Sequence, residues 1–524
     1  MWIGLLFAIM SVATLYEQFS PNEAAALFHR ESTPDPRHFI SAYREKVVQC
    51  LILANYTKSS PYTIETLILY LHAEYVRSED TQAECWVLLG IVIQLALRMG
   101  YHMDGSQFPR ISLFNAEIRR RIWLVIFMLD VFTSAQVGLP RMLKDSQYDT
   151  TEPRNLLDDD LYEGMAELPG GRPDTVQTPV QFFVTKSRIV SVFGRISDLT
   201  TSTPPCSYNE IMTLDSTLHA AYNAIPEWLG MHSMDDSVMD TPELVMRRVY
   251  IALLFHTARC VLHRKYLIHA KTDATFTYSH TTCIEAALQI LHIQREVDQE
   301  MQIGGRLYQN RWNVSSVVKN EFLLATTILC LDLDQGLDKS CSLASESSSD
   351  IEARECVVKA LNESYFIWLR SSEASREARK AVEVLRTVLG KAHKLGSGSS
   401  QSVEGKTPGE IDESLLQRPQ PFNYMPASRR PRGPMVLPQM DEDRWGDGDL
   451  ATALEMNEEP EVAVSESCDY DYGIGLTRRR TLGSRGIRGQ AGEIFLGCRR
   501  TPSKNLLSPW VALERSQITE ILVP

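Results

Sequence analysis

The sequence predicts an all-α protein, a multi-helix bundle built from antiparallel helical hairpins and followed by a long disordered C-terminal tail. Apolar residues recur at helical spacing from residue 1 to about residue 394. No stretch shows the sustained apolar–polar alternation that a half-buried strand requires. From residue 395 to residue 524, Gly/Ser-rich and Pro/Arg-rich sequence replaces this pattern. Such a segment cannot bury enough apolar surface to offset the entropy that ordering it costs.

Turn and capping residues divide the apolar pattern into separate helices. Ser60 and Pro61 supply a helix cap and a first-turn proline. Gly100 ends one helix, and Gly138 with Pro140 ends another. The polar segments between helices are short, which favours antiparallel neighbours. We predict helices over residues 41–55, 64–75, 80–99, 115–136, 180–199, 208–225, 244–267, 282–303, 321–333 and 351–394.

The first sixteen residues are strongly apolar and admit two interpretations. No Lys or Arg precedes the apolar run, as a signal peptide would require, and Glu17 follows too soon for a membrane span. We therefore predict a core helix, and a secreted or membrane-anchored helical protein is the alternative. Small residues at Gly4, Ala8 and Ser11 would let a neighbouring helix approach one side. The predicted inner face consists of Trp2, Leu5, Leu6, Ile9, Ala13 and Tyr16.

The helix over residues 115–136 carries the most informative residues. Residues 122–129 are apolar at every position, which predicts burial on all sides. An ionised Asp130 inside such a helix is costly unless an Arg or a backbone donor meets it. We hypothesise that Arg98 or Arg141 holds this carboxylate.

Three arginines, Arg119, Arg120 and Arg121, lie near the N-terminal end of the same helix. Cations there oppose the helix dipole. We therefore expect acidic residues to pair with them, either from the loop that follows Gly138 or from another helix. Residues 145–160 of that loop are acidic and contain Pro153.

Together these residues resemble the signature of the fungal-specific transcription factor domain, the middle homology region of zinc binuclear-cluster transcription factors. In that family a basic-then-Trp helix carries an interior Asp, ends in a Gly-x-Pro turn, and precedes an acidic, Pro-bearing loop. The resemblance covers residues 1–270, the predicted regulatory core, and residues 271–394 add helices to the same domain. The matching residues, all expected to be structural, are Arg119, Arg120, Arg121, Trp123, Asp130, Gly138, Pro140, Arg141, Asp149 and Pro153.

The resemblance implies a nuclear transcription regulator whose helical domain controls a DNA-binding module. Family members usually carry a six-cysteine zinc cluster with CxxC pairs, and this sequence contains none. Zinc and DNA binding are thus implied by the family alone, and they would need a cluster before Met1 or an associated module. Leu139 stands where an Arg is common, so one ion pair is expected to be missing. Two alternatives stay open: the chain forms a dimer, or it lacks a DNA-binding module of its own and acts as a partner of full-length factors.

Composition excludes several functional classes. The net charge is -13, from 53 basic and 66 acidic residues. This balance argues against a bulk surface that wraps nucleic acid, because phosphate neutralisation needs clustered Lys and Arg. The ten cysteines are scattered, which predicts reduced core residues and no disulfide framework.

No catalytic signature is complete, so we predict no catalytic or cofactor-binding residues and no enzyme activity. Gly405-Lys406-Thr407 ends like a phosphate-binding loop, but Ser400 replaces the opening Gly. The acidic run at residues 441–443 fails as a calcium loop, because Trp445 and Thr452 stand at ligand positions.

One set of metal-ligating residue types shares a helical face. His256, Cys260 and His263 lie at i, i+4 and i+7 and could be three of four zinc ligands. The same spacing matches an ordinary core-facing stripe, which is the interpretation that we favour.

The tail contains two charged stretches. Residues 441–472 are acidic with interspersed aromatics and resemble disordered activation segments that contact a coactivator, with a solvated linker as the alternative. Residues 478–504 are basic and include Arg478–Arg480, a weak nuclear-import signal.

Overall fold

A computed structural model of the protein describes residues 1–17, 36–58, 60–77, 83–202, 206–313, 316–340 and 348–397. These residues form α-helices, short 3-10 turns and loops, with no strand among them, which confirms the all-α prediction. The α-helices are α1 (Trp2–Glu17), α2 (Pro36–Leu53), α3 (Thr63–Arg77), α4 (Ala83–Arg98), α5 (Leu113–Val137), α6 (Pro179–Thr201), α7 (Tyr208–Asn223), α8 (Pro242–His263), α9 (Thr277–Glu300), α10 (Ser316–Ser340), α11 (Ser348–Ser371) and α12 (Arg376–Ser397).

The helix ends follow from local chemistry. The hydroxyl of Ser112 accepts a hydrogen bond from the Asn115 amide at 3.2 Å, which caps the start of α5. At its other end Gly138 adopts φ 71°, the left-handed region that glycine enters without strain. The Leu139 amide then donates to the Ser134 carbonyl at 2.9 Å and so satisfies a terminal acceptor.

Neighbouring helices pack in sequence around one core. The α1 helix packs on α2 and α3, α5 packs on α4 and α6, and α6 packs on α8. The later helices α9 to α12 pack on one another and join the first group through α8. Within α5, residues 122–129 are buried except for the half-buried Leu124, as their apolar run predicts. The division of the chain at residue 270 stays a prediction.

The buried face of α1 differs from the predicted one. Trp2 is 55% exposed, and Leu6 and Ala13 are exposed as well. The face that packs inward carries Gly4, Ala8 and Ser11 together with Leu5, Val12 and Leu15. A Cβ added at Gly4 would lie 3.0 Å from the Cβ of Cys50 on α2. Both faces of α1 are apolar, but only one of them carries small residues. The small residues let the backbones of α1 and its neighbour approach closely, and this decided which face of α1 is buried.

The end of the helical region differs from the predicted single helix over residues 351–394. That helix is broken at residues 372–375, where the hydroxyl of Ser375 accepts from the Ala378 amide at 3.0 Å and caps a new helix. The predicted disordered tail begins at residue 395, whereas the last helix continues to Ser397. The rest of the predicted tail, with its acidic and basic stretches, lies outside the described residues. Within the described part of the chain, no helix combines the length and apolar character that crossing a membrane needs.

A buried histidine on α3 makes the stability of this end of the bundle sensitive to acid. Burial lowers the pKa of His72 from 6.5 to about 3, and a 2.6 Å hydrogen bond joins its Nε2 to the hydroxyl of Tyr16 on α1. The unfolded chain therefore binds more protons between these two pH values, and stability falls as the pH drops through that window. At pH 5 this loss should reach about 2 kcal/mol relative to pH 7.

Replacing His72 with glutamine should remove this part of the pH dependence. The measurement is the free energy of unfolding from urea titrations at pH 7 and pH 5. His232→Gln is the matched control, since His232 is exposed. An unchanged pH slope in His72→Gln would contradict the assignment.

Candidate functional site

Three arginines of α5 fix the segments on either side of that helix. We call them the arginine cluster and define it as Arg119, Arg120 and Arg121. Consecutive residues of an α-helix project about 100° apart, so the three side chains reach three different places. Arg119 donates to the Met99 carbonyl at 2.6 Å and lies 4.3 Å from the centre of the Tyr101 ring. It thus holds the turn that ends α4.

Arg120 forms a bidentate ion pair with Asp104, with distances of 2.8 Å from Nε and 2.7 Å from Nη2. The hydrogen bond from Arg120 holds the pKa of Asp104 well below its usual range. The same carboxylate accepts from the amide and the hydroxyl of Thr151 at 3.1 and 2.8 Å. One buried carboxylate therefore links the segment before α5 to the segment after it.

Arg121 is enclosed completely. It lies 3.4 Å from the carboxylate of Glu117, one turn earlier, and donates to Asp158 at 2.7 Å and to the Leu156 carbonyl at 3.2 Å. Burial raises the pKa of Glu117, and the charge of Arg121 opposes that rise. Asp158 belongs to residues 138–178, the segment between α5 and α6 that we call the 138–178 loop. The expected pairing of the cluster with acidic residues of this loop is thus present at Arg121.

Asp130 is satisfied by backbone donors. Its carboxylate accepts from the amides of Met142 and Leu143 at 3.0 and 2.8 Å. Burial raises its pKa, and these hydrogen bonds oppose the rise. The hypothesis that Arg98 holds this carboxylate is wrong, because Arg98 donates to the Thr57 carbonyl at 2.6 Å. Arg141 turns its guanidinium to other carboxylates, and it acts on Asp130 only through its charge, which lowers the pKa of Asp130. The chain reverses direction after Gly138, and this brings the amides of Met142 and Leu143 within hydrogen-bond distance of the Asp130 carboxylate.

Asp130→Asn should lower the free energy of unfolding by about 1–2 kcal/mol, because an amide group offers only one acceptor to the two backbone donors. A double-mutant cycle with Arg98→Gln should be additive within about 0.5 kcal/mol. Urea denaturation of the four proteins measures both quantities. A larger coupling energy would restore the hypothesis for Arg98.

Arg141 anchors the 138–178 loop to α6. Its guanidinium contacts Asp198 at 2.6 and 3.2 Å and Asp145 at 3.3 Å. A Cβ added at Gly194 would lie 2.8 Å from Nη1 of Arg141. Glycine at this position therefore lets a buried arginine cross the surface of α6.

The remaining motif residues lie along the same loop. Asp149 accepts from the Asp104 amide at 2.9 Å and from the Gln107 side chain at 2.6 Å. Pro153 is buried, whereas Pro140 is exposed, as is Leu139 at the position where the resemblance expects an Arg. All the motif residues thus belong to α5 or to the 138–178 loop.

The fixed loop, α5 and α6 enclose a cleft of about 310 Å³. We call it the α5–α6 cleft and define it by Trp123, Phe127, Tyr148, Glu152 and Arg188, which all line it. The Tyr148 ring centre lies 5.6 Å from that of Trp123 and 5.9 Å from that of Phe127. Its volume is at the lower end of the roughly 300–1,000 Å³ that small-molecule sites span.

The three candidate zinc ligands do not face a common site, and each has its own neighbours. His263 is joined to the Ser279 hydroxyl at 2.9 Å and to the Asp215 carboxylate at 3.2 Å. Cys260 contacts the carbonyl of Cys283 at 3.8 Å, and burial lowers the pKa of His256 to about 4. Among the described residues, no group of three or more His, Cys, Asp or Glu side chains is placed to hold a metal ion.

Comparison with known proteins identifies the region that contains the arginine cluster. Residues 3–230 match the family model of the fungal specific transcription factor domain. The chain carries this domain. The domain extends from α1 to the short turn after α7 and includes the whole 138–178 loop.

Curated proteins that are similar to this chain are named as transcription factors. The Zn(2)-C6 fungal-type transcription factor pigI of Monascus ruber is 50% identical over 394 residues, 75% of this chain and 47% of that protein. The corresponding factor mpsB of Macrophomina phaseolina is 44% identical over 419 residues, 79% of this chain and 56% of that protein. The equisetin cluster transcription factor eqxF of Fusarium heterosporum is 39% identical over 395 residues, 75% and 56% of the two chains.

The chain spans about half the length of these curated relatives. The names of the family and of these relatives are those of transcription factors and not of enzymes. No solved structure matches the chain.

Sequence reasoning missed three features of this site. Asp104 and Glu117, which pair with the arginine cluster, carried no signal beyond their charge, and Asp198 lies 57 residues from Arg141, the residue that it binds. The α5–α6 cleft was also missed, because the residues that line it are spread over two helices and a loop. The three arginines themselves were the only local sign that buried acids had to be nearby.

Proposed function

We propose that this chain is a transcription regulator of the fungal zinc-cluster factor type. In this proposal its helical domain governs an attached or associated DNA-binding module in the nucleus. The observation that carries the proposal is 50% identity over 394 residues to a Zn(2)-C6 fungal-type transcription factor, together with the domain match at residues 3–230. The buried ion pairs support a regulatory role, since Arg121 ties the 138–178 loop to α5 and Arg141 ties the same loop to α6.

A reporter assay tests the proposal. The full chain is fused to a heterologous DNA-binding domain and expressed in a fungal host with a reporter gene under that domain's operator. We expect reporter transcription to change several-fold in either direction relative to the DNA-binding domain alone. The unfused chain, expressed beside the DNA-binding domain, is the control. An unchanged reporter at equal protein level and with nuclear fluorescence would contradict the proposal.

We also propose that zinc and sequence-specific DNA contact belong to a cysteine cluster outside these 524 residues. The zinc content of the purified chain tests this second proposal. The sequence has ten cysteines and no CxxC pair. We expect the purified 524-residue chain to hold far less than one zinc per molecule by elemental analysis. Stoichiometric zinc that is lost in Cys260→Ser would show instead that His256, Cys260 and His263 form a site.

A further inference from the structure

The α5–α6 cleft combines an aromatic wall with a polar rim. Trp123 and Tyr148 meet at 60° and a centre-to-centre distance of 5.6 Å, and Phe127 continues the apolar surface. Trp123 and Phe127 are buried, so they are fixed by the core of α5. Such a wall accepts a flat apolar group, because aromatic faces and edges stack on one another with little loss of side-chain freedom.

The rim holds an arginine that can change partners. Arg188 on α6 reaches across the cleft to Glu152 of the 138–178 loop, with distances of 3.1 Å from Nε and 2.8 Å from Nη2. Both side chains are 47% exposed. An ion pair that is this exposed contributes little to the stability of the fold. The acidic group of a bound molecule can therefore replace Glu152 at this guanidinium at small cost.

The other arginine at the cleft is not available in this way. Arg120 lines the cleft, but its guanidinium is held by Asp104, which is 4% exposed. Arg188 is thus the cationic group that a ligand can engage.

We infer that the α5–α6 cleft binds a small organic acid with a flat aromatic or conjugated body. The body lies against Trp123 and Tyr148, and the acidic group pairs with Arg188 in place of Glu152. Occupation bridges α6 and the 138–178 loop through the ligand. The inference goes beyond the proposed function, because binding is measured directly and stands whether or not the chain regulates transcription.

Calorimetric titration of the full chain with 2-naphthoate tests the inference. We expect one binding site per chain. Arg188→Gln should weaken binding about two- to fivefold, since an ion pair at a half-exposed guanidinium contributes little. Glu152→Gln should strengthen binding, because it frees Arg188. The neutral isostere 2-naphthalenemethanol should bind more weakly and respond to neither substitution.

Two further variants separate the cleft from other surfaces. Ser191→Trp places a bulky ring in the cleft and should abolish binding. Arg172→Gln removes an exposed arginine of the same loop, paired with Asp160, and should leave binding unchanged. Thermal unfolding verifies that each variant is folded; if Ser191→Trp is not, Arg188→Gln alone decides. Absence of binding at millimolar 2-naphthoate, or equal binding by Arg188→Gln and the wild type, would overturn the inference.

Discussion

Arg121→Ala is expected to lower the free energy of unfolding by about 3–5 kcal/mol, the range for removing one partner of a buried ion pair. Glu117 and Arg121 are both fully buried, so the substitution removes one of the two guanidinium groups that lie 3.4 Å from the carboxylate of Glu117 and leaves only that of Arg120. It also removes the donors to Asp158 and to the Leu156 carbonyl, which fix the 138–178 loop to α5.

Urea denaturation of Arg121→Ala beside Arg172→Ala measures this effect. Arg172 belongs to the same loop, but its pair with Asp160 is partly exposed, so its loss should cost much less than the loss of Arg121. Equal effects of the two substitutions would show that burial of the arginine cluster is not what stabilises the loop.

The pH dependence provides an independent check on Arg121→Ala. Burial already raises the pKa of Glu117, and loss of the Arg121 charge should raise it further. A group whose pKa is higher in the folded state gives stability that is present at low pH and is lost as the pH rises through the folded pKa. The damage from Arg121→Ala should therefore be smaller at pH 5 than at pH 8.

The double substitution Lys186→Met with Glu321→Leu is expected to raise the free energy of unfolding by about 1–4 kcal/mol, because apolar side chains replace a buried pair of ionisable groups. Lys186 on α6 is completely buried, and its Nζ lies 5.1 Å from the centre of the Phe132 ring and 5.3 Å from that of Tyr250. Burial lowers the pKa of Lys186 well below its usual value and raises that of Glu321 on α10 to about 8.

Lys186→Met alone separates the two groups. Without Lys186, the carboxyl of Glu321 keeps its raised pKa, while in the unfolded chain it titrates near 4.5. The folded state then binds more protons between these values, so stability should fall as the pH rises from 5 to 8. The double variant should lack this slope. Chemical denaturation between pH 5 and pH 8 measures the free energy of unfolding of each variant. A double variant that is less stable than the wild type would mean that the pair stabilises the fold.

Local sequence determined the secondary structure, because capping, glycine geometry and apolar period act over only a few residues. Residues 122–129 are apolar at every position, and Ser112 and Gly138 end the helix around them, so α5 was predictable within two residues of its observed limits. The need for partners was equally local. A buried Asp130 and three adjacent arginines had to be satisfied in any fold.

Tertiary structure decided which groups satisfy them and where a ligand can enter. Both faces of α1 are apolar, so periodicity could not choose between them, and close packing against Cys50 selected the small one. The backbone donors to Asp130 begin 12 residues away and Asp198 lies 57 residues from Arg141, and hydrogen bonds over such separations leave no trace in the local pattern. The α5–α6 cleft likewise exists only where Arg121 and Arg141 hold the 138–178 loop against α5 and α6.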